Sequence, residues 1–103
     1  MKKKKAPVEK WYVYMLECAD GSIYTGITND VKERVAKHNS GKGAKYTKAR
    51  RPVVLKAKWK HKDKSEAAKA EYAFKQLTRE EKLLSITIYE LKITNKKPGK
   101  KKR

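Results

Sequence analysis

At 103 residues, 38% of them apolar and 39% charged, the chain has room for one small compact domain and no more. It carries no apolar run of membrane-span length, no N-terminal segment resembling a signal peptide, and a single cysteine, Cys18, which excludes an internal disulfide; a cytoplasmic protein with no membrane partner is expected. The formal net charge is +18, and residues 6–95, which hold all 11 acids, still carry +8, so a polyanion is the expected partner, while no amphipathic basic helix with a bulky apolar face supports an acidic membrane.

Residues 1–9 read as a disordered basic arm. The stretch WYVYMLECADGSIYTGIT, residues 11–28, then reads as two short strands joined by a tight turn, each rich in β-branched and aromatic residues. A two-residue Asp20-Gly21 turn would place Tyr14 and Tyr24 on opposite faces. A three-residue Ala19-Asp20-Gly21 loop with a left-handed Gly21 instead pairs Cys18 with Ser22 and sets Tyr14 opposite Gly26, with Tyr24 diagonally across on the same face. The second register is favoured, because it puts glycine where positive φ is wanted. It also predicts a recess between the phenols at Gly26 where a water or phosphate could approach the backbone. The competing reading is an amphipathic hairpin whose tyrosines pack on helices.

Asn29 and Asp30 open a helix, Asp30 and Glu33 forming a capping box, which runs to about Asn39 and stops at Ser40-Gly41. Val31 and Val35 make its buried stripe, and Arg34 and His38 fall four apart along the edge of that stripe, with Arg34 expected to point along the sheet toward the hairpin and a surface arginine snorkelling over the core as the alternative. Residues 41–52, GKGAKYTKARRP, show neither helix nor strand period. Their glycines, five basic side chains (Lys42, Lys45, Lys48, Arg50, Arg51) and Tyr46 suit a phosphate backbone and a stacked base; a solvated loop is the alternative. Residues 53–60 alternate as an edge strand, with Val53, Leu55, Ala57 and Trp59 on one face and Lys56, Lys58 and Lys60 on the other.

Ser65 is expected to cap a second helix, roughly 66–77, with Ala67, Ala70, Phe74 and Leu77 as its apolar stripe. Glu71 falls inside that stripe. A carboxylate aimed at a core needs a partner or a cation, and a Glu71–Lys75 pair on a helix rotated outward is the alternative. Thr78 and Glu81 form another capping box before a third helix at about 79–85. The following ITIYELKI fits a strand or a continued helix, and residues 86–103 are left as an extension and basic tail.

Tyr12-Val13-Tyr14, Tyr24-Thr25-Gly26 ten residues further on, and then Arg34, His38 and Glu71 together resemble the GIY-YIG nuclease domain over about residues 10–85. The succession WYVY…DGS-YTGIT…HNSGKGAKYT…RRPV is similar to the small stand-alone branch of that superfamily. The resemblance implies an α/β fold of the α+β type: a small three-stranded antiparallel sheet flanked by helices, in β-β-α-β-α-α order. It implies metal-dependent hydrolysis of nucleic-acid phosphodiesters, with DNA ahead of RNA and single-stranded or branched DNA among the candidates. Tyr14 and Tyr24 would be the motif tyrosines, one of them positioning or deprotonating the attacking water. Arg34 would stabilise charge on the phosphate, His38 would share the pocket, and Glu71 would hold a single divalent metal, magnesium or manganese. Tyr12, Gly26, Lys42, Lys45, Tyr46, Lys48, Arg50 and Arg51 would bind substrate.

The chemistry suits these residue types: in-line attack needs an activated water, positive charge at the phosphoryl oxygens and relief for the leaving alkoxide. A phenol, with an ordinary pKa near ~10, is a poor base at neutral pH. The chain departs from the family pattern at Tyr12, Thr25 and Ile27, and no asparagine stands near the end of the second helix. A non-catalytic nucleic-acid-binding protein on the same fold is therefore the alternative.

Overall fold

The computed structural model describes residues 10–96, and side chains up to residue 93; the N-terminal arm at 1–9 and the tail beyond 96 lie outside the described residues. Strand β1 (Trp11–Glu17) is followed by β2 (Ile23–Thr28), helix α1 (Val31–Asn39), a one-turn helix α2 (Lys45–Lys48), β3 (Val54–His61), α3 (Lys64–Lys75) and α4 (Arg79–Lys96). The sheet is antiparallel in the order β2-β1-β3. Its layers agree with the expected three-stranded α+β fold, with α2 added in a loop that shows no helical period.

The central strand β1 is covered on both faces, so Val13, Tyr14, Met15 and Leu16 are buried in succession instead of alternating. Tyr14 and Leu16 face α1 and pack with Cys18, Val53, Tyr24 and Val35. Met15 faces the other way, with Ile23, Ala57, Ile86, Trp59, Phe74, Leu83 and Tyr89, the layer that α3 and α4 supply. The hairpin has the favoured register: Gly21 takes φ +86, Cys18 N–H donates to the Ser22 carbonyl at 2.9 Å, and Tyr14 stands opposite Gly26.

The expected alternation of β3 does not survive. A β-bulge between Met15 and Leu16 skips Lys56, so Leu55 pairs with Leu16 and moves to the α1 face, while Ala57 and Trp59 stay on the α3–α4 face. One unpaired residue in a ladder reverses the side of every residue beyond it.

Helix starts follow local chemistry. Asp30 caps α1 by accepting from the Glu33 N–H, but the box is half closed, because Glu33 pairs with Lys37 and the Asp30 N–H goes to Thr28. Asp63 caps α3, accepting from the Glu66 N–H at 2.9 Å, and Ser65 lies inside the helix; α3 therefore starts and ends about two residues earlier than expected. A carboxylate at a helix N-terminus also gains from the macrodipole, which a serine hydroxyl does not. Thr78 and Glu81 close a complete reciprocal box. From there α4 runs well past residue 85, and ITIYELKI, open between strand and helix in the sequence, is helical. Leu83, Ile86 and Tyr89, three apart, meet the core on one helix face, whereas a strand would have buried Ile86 with Ile88, which is 47% exposed. No helix among the described residues is long and apolar enough to cross a membrane.

Candidate functional site

The hairpin brings Tyr14 and Tyr24 to one face, ring centroids 6.3 Å apart. The recess expected at Gly26 is absent, because the Tyr14 ring itself lies over that glycine. A Cβ at Gly26 would stand 2.7 Å from Tyr14 Oη and 2.9 Å from Cζ. Gly26 therefore makes room for Tyr14, and its backbone is not open to a ligand.

His38 is fully buried, not at the edge of the α1 stripe as the helical spacing suggests. Its Nε2 lies 2.8 Å from Tyr14 Oη and its Nδ1 2.7 Å from Thr47 Oγ1. Thr47 is also fully buried and donates its one hydroxyl proton to the Ala44 carbonyl at 2.9 Å. The Ala44 N–H also reaches Nδ1, at 3.4 Å, so the loop meets this ring nitrogen with both backbone and side chain. The α2 turn exists to present Thr47, and Gly43 lets the loop close on the imidazole: a Cβ there would meet His38 Nδ1 and come within 2.8 Å of His38 Cα. Nothing in the sequence marks Thr47, which is nine residues from His38 in an aperiodic loop.

Burial is the main reason the Tyr14 phenol is pushed up to about 12. A hydrogen bond from Arg34 opposes the shift, and the neighbouring Tyr24 and Glu71 add to it. Burial, then the Arg34 charge, hold His38 below its ordinary 6.5. At neutral pH the pair is a protonated phenol and a neutral imidazole. Because the unfolded chain binds a proton at His38 more readily than the folded one, stability is present above pH 6.5 and is lost as pH falls through the lowered folded pKa. The urea midpoint is expected to drop from about pH 7 to about pH 5, and His38→Gln should flatten that drop. At the alkaline end Tyr14 works in the opposite sense, with stability lost between pH 10 and about 12.

The loop residues divide. Arg50 donates to Asp20 Oδ2 at 3.1 Å and to the Tyr46 carbonyl, and its guanidinium lies 3.9 Å over the Tyr46 ring. Arg51 donates to the carbonyls of Lys48 and Asn39. Both arginines thus brace the loop against the hairpin turn and the end of α1. Tyr46 has one face under Arg50 and its ring centroid 5.9 Å from that of Tyr24, an arrangement that leaves little room for a stacked base. Lys42, Lys45 and Lys48 are exposed. Tyr12 sits two residues from Tyr14 on the same face, with Lys58 over its ring. Asn39, unremarked in the sequence, exchanges hydrogen bonds with both backbone groups of Val53 and ties α1 to the approach to β3.

Arg34 is half-buried, hydrogen-bonds Tyr14 and has no ion pair among the described residues. Glu71 does not point to bulk solvent. Its side chain is 22% exposed, is paired with Lys75 at 3.1 Å, and lies close enough to act electrostatically on Tyr14. Beside it, at the β2 edge, Ile23, Tyr24, Thr25, Tyr46, Lys75 and Lys82 line a cavity of about 280 Å³. Among the described residues no group of three or more His, Cys, Asp or Glu side chains could cage an ion. One carboxylate among neutral phenols fits a hard divalent cation that keeps most of its water, and does not fit a zinc cage. Such an ion would have to displace the Lys75 ammonium from Glu71.

Comparison with known proteins bears on this geometry. The family model described as the GIY-YIG catalytic domain matches residues 10–84. A UPF0213 protein of Staphylococcus epidermidis is 54% identical over 79 residues, which cover 77% of this chain and 96% of that one. A UPF0213 protein of Bacillus cereus is 58% identical over 69 residues, 67% of this chain and 72% of that one. Among solved structures, the solution NMR structure of a UPF0213 protein of Bacillus halodurans is similar with a TM-score of 0.51 and 51% identity, covering 77% of this chain and 84% of that one. That of a protein of E. faecalis has a TM-score of 0.56 and 43% identity, covering 88% and 93%.

Proposed function

The chain belongs to the GIY-YIG family, within the nuclease superfamily, and on that premise we propose that it is a metal-dependent endonuclease hydrolysing phosphodiester bonds of DNA. The observation that carries this reading is the meeting of Tyr14, Tyr24, His38 and Arg34, with Glu71 within electrostatic reach, although they are spread from residue 14 to residue 71. Single-stranded and branched DNA are the substrates to try first. The exposed Lys42, Lys45 and Lys48, the basic ends of the chain or a partner protein would supply specificity.

Burial separates the roles of the two tyrosines. Tyr14 is 1% exposed and hydrogen-bonded to His38, and with its pKa about 12 and that of His38 below 6.5, proton transfer from the phenol to the imidazole is steeply uphill. Tyr14 therefore works with its proton in place, as the post that holds His38 and Arg34. Tyr24, half-buried on the cavity wall, is the phenol left to orient the attacking water. Arg34 supplies fixed positive charge where the phosphoryl oxygens gain negative charge. Magnesium or manganese held by Glu71 would supply Lewis-acid stabilisation of the leaving oxygen.

Cleavage of supercoiled plasmid and of single-stranded and branched oligonucleotides, with each metal, tests the assignment. Tyr24→Phe is expected to lower the rate by ~10²-fold with the thermal midpoint unchanged. Tyr14→Phe should instead cost about 1 kcal/mol of stability through the lost buried hydrogen bond, read by urea unfolding. The reverse pattern would exchange the two roles. One observation favours binding without cleavage: Glu71, the one acid at the site among the described residues, is already paired with Lys75. That reading predicts tight binding and no product with either metal on any substrate shape.

A further inference from the structure

The cavity at the β2 edge holds two ammonium groups, Lys75 and Lys82, and lies against Tyr24. Glu71 occupies Lys75. Lys82 is half-buried on α4 and has no ion pair among the described residues; burial and the neighbouring Lys75 charge both disfavour its protonated form. On the same cavity, Thr25 is 2% exposed, and its hydroxyl has no hydrogen-bond partner among the described residues. A buried hydroxyl without a partner is costly unless a ligand completes it, and the half-buried Lys82 beside it supplies charge. The sense of the charge says that the ligand is an anion. Ile23, Tyr24 and Tyr46 complete the lining.

We propose that this cavity is a second phosphate subsite, in which Lys82 and Thr25, joined by Lys75, hold a backbone phosphate of the nucleic acid next to the one that is cleaved. It rests on the nuclease reading for the words "next to the one that is cleaved"; the phosphate contact itself does not. The subsite deals with a problem the loop leaves open: Arg50 and Arg51 are engaged in bracing, so the register of the strand must be set elsewhere. It also links the two halves of the site. While Glu71 holds Lys75, the cavity has one unpaired cation; an ion taking over Glu71 would release the second, so metal and nucleic acid should each tighten the binding of the other.

The test is equilibrium binding of the full chain to a short single-stranded oligonucleotide in EDTA, where no cleavage can occur, across a range of salt. Lys82→Met is expected to weaken binding by about tenfold at low salt and to make the log–log salt slope shallower by about one. Lys82→Arg should restore most of it. Lys69→Met, on an exposed lysine paired with Glu66, serves as the control. A scan in which single phosphates are replaced by neutral methylphosphonates should find one position that weakens the natural chain and has no further effect on Lys82→Met. Losses that add at every position, or a Lys82→Met effect no larger than that of Lys69→Met, would overturn the subsite. Position-specific binding in a protein that cuts nothing would leave the subsite standing and remove the nuclease reading. Cleavage without position-specific coupling would do the opposite.

Discussion

Glu71→Gln is expected to lower magnesium- or manganese-dependent cleavage by ~10³-fold or more, since it removes the carboxylate that, among the described residues, lies near the phenols and would hold the ion. Nucleic-acid affinity in EDTA should stay the same or tighten, because the neutral amide releases Lys75 from its 3.1 Å pair. Arg34→Ala should cost ~10²- to 10³-fold, the loss seen when one charge-stabilising donor is removed. Arg34→Lys should recover little, because a compact ammonium does not reproduce the fork that reaches both Tyr14 and an anion. Rates measured under single-turnover conditions, alongside binding by fluorescence anisotropy, separate these effects. Cleavage undiminished in Glu71→Gln would place the metal elsewhere and take the proposed mechanism with it.

Gly43→Ala should be the most destabilising glycine-to-alanine change among the described residues, by about 3 kcal/mol, the upper end of ordinary overpacking. The added Cβ would overlap His38 Nδ1 and press within 2.8 Å of His38 Cα, which is backbone of α1 and cannot swing aside. At Gly26 the Cβ would meet Tyr14 Oη, Tyr14 Cζ and the Tyr24 ring, all side-chain atoms that can give a little, so Gly26→Ala should cost less. Urea unfolding measures both. A Gly43→Ala cost below about 1 kcal/mol would mean that the 41–52 loop can lift away from His38, and that Thr47 does not hold the imidazole firmly.

The hairpin was legible because its determinants are local. A glycine needing positive φ sets the loop length, the loop length sets which residues pair, and pairing sets the side of the sheet on which Tyr14 and Tyr24 emerge. The same holds for the starts of α1 and α4, where a cap and the N–H three residues on lie within one turn. The start of α3 was misread by choosing Ser65 over Asp63, two caps of the same kind close together. The run ITIYELKI stays open between strand and helix in the sequence because residues at i, i+3 and i+6 satisfy a helix while its alternation satisfies a strand, and only contact with Met15, Trp59 and Phe74 distinguishes the two.

Sequence alone determined the pairing register, the helix starts at Asp30 and Thr78, and the family. Tertiary structure alone decided how they meet: His38 buried between Tyr14 and Thr47, Leu55 carried to the other face by a bulge, Glu71 held by Lys75, and Lys82 and Thr25 brought to one cavity. The reason lies in the range of the forces involved. Turns and caps are settled within four residues, whereas burial, desolvation and ion pairing depend on what other segments bring near, and no spacing within one segment records that.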